Sequence, residues 1–97
     1  MYSQQAILQL LSEKKPSLVT KYGVSELALF GSYSRGDNNP GSDIDILVDF
    51  NRSVNGFEYI RMAHELEDLF KTKVDVVSRG GIRAAILPAI EKNLIHV

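Results

Sequence analysis

Apolar and polar positions alternate most regularly between residues 43 and 50. Ile44, Ile46, Val48 and Phe50 point one way; Asp43, Asp45, Leu47 and Asp49 point the other. A period of two predicts a half-buried β-strand. Helical spacing governs the next stretch, where Tyr59, Met62, Ala63, Leu66 and Phe70 share one stripe. Asn55 and Glu58, three apart, form the capping box expected at its start, and Arg61 with Glu65 forms an exposed i, i+4 pair on its surface. Upstream, Ser3 caps a helix carrying Ile7, Leu8, Leu10 and Leu11 on one side. Pro16 disfavours helical geometry at Lys15, so that helix is expected to end there. A second short helix is expected from Pro16, carrying Leu18, Val19 and Tyr22 and stopping at Gly23.

The remaining pieces are short. "LALF", residues 27–30, is apolar and followed by a turn, as a central strand would be. Residues 73–78 form another strand, with Val74 and Val76 on one face and Asp75 and Val77 on the other. After Gly80-Gly81 a helix over residues 82–92 is interrupted near Pro88, and "LIHV" ends the chain as a short strand. The order is thus α-α-β-turn-β-α-β-α, an α/β chain forming one small domain over residues 1–97.

Topology then gathers the chemistry. The helix between the second and third strands makes them parallel neighbours with a right-handed crossover. Asp75 therefore lies beside Asp43 and Asp45. If the first strand is antiparallel to the second, its trailing Gly31-Ser32 reaches the same end.

Carboxylates at i and i+2 on a strand project to one side and can bracket a divalent ion or bridge two ions. Without His or Cys nearby they are hard oxygen ligands, favouring Mg²⁺, or Mn²⁺ in its place. Three such acids repel one another, and a bound dication offsets the repulsion. Gly31 lets the backbone approach a ligand, and Ser32 offers a hydroxyl and an N–H to phosphate oxygens. A short helix starting at "SYSR" would point free amides at the same anion. Arg35 either neutralises phosphate charge or fixes the loop by pairing with an acid. Lys73 flanks Asp75 and tunes it, Tyr33 is near enough to the turn to touch a nucleotide, and Asp49 lies too far along the strand to join the site. His64 and His96 are structural or solvated, and no Ser-His-Asp arrangement is indicated.

Composition narrows the picture. The absence of cysteine removes disulfides, zinc-thiolate sites and Cys nucleophiles, and accords with a reducing cytoplasm. No apolar run reaches the ~18 residues of a membrane span, and the N-terminus lacks the pattern of a secretory signal. A net charge of −1 argues against nucleic acid as a direct partner.

Gly31-Ser32, ten residues, then Asp43-Ile44-Asp45 resembles the GSx10DxD signature of the nucleotidyltransferase superfamily that includes DNA polymerase β. "KVDVV" around Asp75 matches that family's third acid, and chain length and element order are similar to its minimal, MNT-type members. Asp37 stands where Glu is common in that family. The resemblance implies a polymerase β-like nucleotidyltransferase fold, a small mixed β-sheet flanked by helices. It implies that Asp43 and Asp45 hold metal, with Asp75 completing the cluster and helping to deprotonate the acceptor hydroxyl. Gly31 and Ser32, with Arg35, would bind the nucleotide.

The implied reaction is hydroxyl attack on the α-phosphate of ATP, releasing pyrophosphate. Minimal members act as antitoxins, transferring AMP to a tyrosine of a HEPN-type toxin partner. Two other functions fit the same residues. One is a nucleotide-binding antitoxin that works by occlusion without transfer. The other is transfer to a small molecule, which would need homo-oligomerisation to build an acceptor site.

Overall fold

The structure is a computed structural model that describes residues 2–97. It contains α1 (Gln4–Tyr22), β1 (Val24–Phe30), α2 (Ser32–Arg35), β2 (Ile44–Phe50), α3 (Gly56–Phe70), β3 (Val74–Ser78), α4 (Leu87–Glu91) and β4 (Ile95–His96), with a 3₁₀ turn at Arg79–Gly81. The four strands form one sheet in the order β3-β2-β1-β4. β2 and β3 are parallel, and β1 is antiparallel to both β2 and β4. This is the mixed sheet flanked by helices expected above. No helix among the described residues is long and apolar enough to cross a membrane.

One face of the sheet carries the core. Leu27 and Leu29 of β1, Ile44, Ile46 and Val48 of β2, and Val74 of β3 pack with Ile7, Leu11 and Leu18 of α1 and Met62, Leu66 and Phe70 of α3. The alternation in β2 thus sends its isoleucines and Val48 to the helices and its acids to the other face. Asn55 caps α3 as its sequence predicts: its side chain accepts from the Glu58 N–H, and Glu58 returns a bond to the Asn55 N–H.

Four local expectations are corrected. α1 does not end at Lys15 but continues through Pro16 to Tyr22. Proline forfeits one helical hydrogen bond, but Pro16 is on the exposed side, whereas Leu11 and Leu18 on either side of it are wholly buried. Tertiary packing outweighs the local preference. β1 starts at Val24, three residues earlier than its apolar run. Its extension carries Glu26, whose carboxylate takes Arg79 Nε and Nη2 at 2.6 and 2.7 Å and His96 Nε2 at 2.6 Å. Those bonds, with Arg79 foremost and working against the cost of burial, hold the Glu26 carboxyl at about 2. Such remote partners leave no mark on the local pattern.

The third correction concerns Glu65, which does not form an exposed pair with Arg61. It reaches α1, where Lys14 and Lys21 each donate to Oε1 at 3.0 Å and the Tyr22 hydroxyl donates to Oε2. Burial tends to raise this carboxyl, and the three donors outweigh it, leaving it at about 2. The fourth is the segment after β3. Instead of an interrupted helix over 82–92, α4 begins at Leu87 with Pro88 in its first turn, where a missing N–H costs nothing.

Candidate active site

The three candidate site acids come from the sheet end at which β2 and β3 begin. The register pairs Asp45 with Asp75 across the parallel strands and Phe30 with Asp45 across the antiparallel ones. Directly paired residues share a face, so the Asp45 and Asp75 side chains stand on the face opposite α1 and α3, about 4.8 Å apart by strand spacing. Asp43 lies two residues before Asp45, just ahead of β2.

Gly31 follows β1 into this corner with φ 75° and ψ −155°, a conformation essentially confined to glycine. A Cβ on Gly31 would lie 2.0 Å from Asp45 Oδ2 and 2.8 Å from its Cγ. The glycine is therefore needed for a neighbour within the protein: it makes room for the Asp45 carboxylate. α2 starts at Ser32, and its N-cap, Gly31, offers no side-chain acceptor to the first amides. The turn is braced by Ser34 Oγ donating to the Gly31 carbonyl at 2.9 Å and by Gln4 Nε2 donating to the Tyr33 carbonyl at 3.0 Å. Tyr33 itself is buried in the core cluster with Phe70.

The electrostatics follow from this crowding. Burial, then the charges of Asp75 and Asp43 and a hydrogen bond shared with Asp75, raise the Asp45 carboxyl from 3.8 to about 6, while Arg35 pulls it down. Arg35 is exposed and its Nε pairs with Asp37 Oδ2 at 3.0 Å. Lys73, expected to tune Asp75, places Nζ 3.5 Å from Asp43 Oδ2. The signal for that contact is in the parallel register: with Ile44 opposite Val74, Asp43 falls opposite Lys73. Asp49 stays outside the cluster, its Oδ1 accepting from the Phe50 N–H at 2.9 Å. His64 is exposed, and His96 serves the Glu26 network at the sheet's other end.

Among the described residues, no three His, Cys, Asp or Glu side chains are arranged to enclose a metal ion by themselves. The donor set nonetheless fits a hard divalent ion. It offers carboxylate oxygens alone, and burial and the neighbouring acids raise one of them, a shift that a nearby cation opposes. An ion here would complete its shell with water and phosphate oxygens.

Comparison with known proteins agrees with this geometry. The nucleotidyltransferase domain model matches residues 11–96. The protein adenylyltransferase MntA of Thermococcus cleftensis is 32% identical over 97 residues, spanning 100% of this chain and 98% of its own. A solved minimal nucleotidyltransferase superposes with a TM-score of 0.82 at 27% identity, over 99% of this chain and 97% of that one. A chain of the complex between tri-AMPylated Shewanella oneidensis HEPN toxin and MNT antitoxin shares the fold, with a TM-score of 0.61 at 22% identity, over 96% of this chain and 66% of that one. Matched along nearly its whole length by the family model and by a relative of equal size, the chain belongs to the nucleotidyltransferase family, in its minimal MNT form, and is a nucleotidyltransferase.

Proposed function

We propose that this nucleotidyltransferase transfers AMP from ATP to a tyrosine hydroxyl of a HEPN-type helical protein, and so acts as the antitoxin of a toxin–antitoxin pair. The observation that carries the chemistry is the Asp45–Asp75 pair with Gly31 closed against the Asp45 carboxylate. The choice of acceptor is supported by the adenylyltransferase relative of equal length and by the AMPylated toxin found with a protein of this fold.

In this reading Asp43 and Asp45 hold Mg²⁺, or Mn²⁺ in its place, and Asp75 completes the set. The ion supplies positive charge against the triphosphate and favours ionised Asp45. The chain's own residues position the reactants, which is most of the work in phosphoryl-type transfer. Gly31 and Ser32 bind the β- and γ-phosphates, and Arg35 leaves Asp37 to neutralise their charge. Asp75, exposed at the start of β3, takes the proton from the attacking hydroxyl. An oxygen–phosphorus bond forms at the α-phosphate, the α–β bridging bond breaks, and pyrophosphate leaves.

Because the acids do not enclose an ion alone, Mg²⁺ should bind weakly without nucleotide and well with it. Calorimetry should show ATP binding tightly with Mg²⁺ and at least tenfold more weakly in EDTA. Ser32→Ala should weaken ATP binding by about fivefold, the worth of one hydrogen bond. Equal ATP affinity with and without the metal would contradict the reading.

A further inference from the structure

Among the described ion pairs, Lys73–Asp43 alone joins a cation to one of the three site acids. Its backbone is fixed there: the Lys73 carbonyl accepts from the Ile44 N–H at 3.2 Å, and Val74 pairs with Ile44 in the parallel ladder. Its head group is exposed. The Lys73 side chain is 69% exposed against 35% for Asp43. The 3.5 Å separation is longer than the 2.7–2.9 Å typical of a charge-assisted hydrogen bond. A cation anchored at its root and exposed at its tip, resting on a carboxylate that fits a divalent ion, is a competitor for that ion.

We propose that Lys73 is the resident counter-ion of Asp43 and competes with divalent cations for that carboxylate when no nucleotide is bound, so that the ion enters with the triphosphate. The inference rests on the reading of Asp43 as a cation ligand. It assigns Lys73 a positioning role in which it keeps the empty site from filling early. Lys71 provides an internal control, being an exposed cation two residues away that forms no ion pair among the described residues.

The test is Mn²⁺ binding to nucleotide-free protein, followed by electron paramagnetic resonance at low ionic strength. Exposed pairs of this kind contribute less than ~1 kcal/mol, so Lys73→Gln should tighten Mn²⁺ by about three- to fivefold. Lys73→Arg, which keeps the charge, should match the wild type, and Lys71→Gln should change affinity by less than about twofold. The gain should fade near 0.5 M salt, where the pair is already screened. Unchanged affinity in Lys73→Gln, or an equal gain in Lys71→Gln, would overturn the proposal. Asp43→Asn separates the two levels. If it weakens Mn²⁺ binding while Lys73→Gln does nothing, only the counter-ion role is lost. If Asp43→Asn leaves Mn²⁺ binding unchanged, the assignment of Asp43 as a ligand fails and the counter-ion role goes with it.

Discussion

Asp45→Asn should melt at a higher temperature than the wild type at neutral pH in EDTA, yet transfer AMP at least a hundredfold more slowly. Both effects have one origin. Burial and the neighbouring Asp75 and Asp43 raise the Asp45 carboxyl from 3.8 to about 6. A folded value above the unfolded one means that the folded state binds the proton more tightly. Asp45 therefore costs no stability below about pH 4, costs progressively more between 4 and 6, and its full cost applies above 6. Two units would amount to about 3 kcal/mol, but this carboxyl is only half-buried, and solvent screening reduces that to about 1 kcal/mol. For a domain of this size that is a rise of about 4–8 °C. The rise should vanish near pH 4, where wild-type Asp45 is protonated as well. A variant with unchanged melting and unchanged transfer would show that the chemistry lies elsewhere in the molecule.

Gly31→Ala should be the most damaging single-methyl change in the chain. The backbone at φ 75° and ψ −155° resists any side chain, and the new Cβ would fall 2.0 Å from Asp45 Oδ2. Strain of this kind costs about 1–3 kcal/mol before the clash is counted, so a loss of about 3–5 kcal/mol is expected. Denaturant unfolding measures it directly. The double variant Gly31→Ala/Asp45→Ala removes the carboxylate from the clash and should recover about 1–2 kcal/mol of that loss. Recovery should be partial, because Asp45 Cβ would still lie 3.1 Å from the new methyl group and the backbone conformation is unchanged. Additive effects in the double-mutant cycle would mean that Gly31 and Asp45 do not touch in solution.

The parts of the fold legible in sequence are those governed by local period. The alternation through residues 44–50 gave β2 and its acid-bearing face, and the Asn55–Glu58 spacing gave the start of α3. The crossover rule then put Asp75 beside Asp43 and Asp45, and the observed register sets it opposite Asp45. Features decided by remote partners were not legible. Pro16 reads as a helix stop until Leu11 and Leu18 are seen buried on either side of it. Glu26 lies outside the apolar run read as the first strand, although Arg79 and His96 bond it into the sheet. Glu65 reads as a surface residue, although α1 supplies three donors to it. At the site, the sequence suggested that Gly31 yields to a ligand. The geometry adds that it yields first to Asp45.

The central claim, that these acids transfer AMP to a protein hydroxyl, is tested most directly by intact-mass spectrometry of a HEPN partner. A HEPN-type helical protein, the acceptor class proposed above, is incubated with ATP, Mg²⁺ and either wild-type protein or Asp43→Asn/Asp45→Asn. Wild type should add mass to the partner in steps of ~329 Da, one AMP for each transfer at the α-phosphate, with peptide mapping locating the adduct on tyrosine. The double variant should add none and leave the partner's toxicity intact. If it silences the partner as fully as the wild type while no mass is added in either reaction, neutralisation is by occlusion and the transfer account is contradicted.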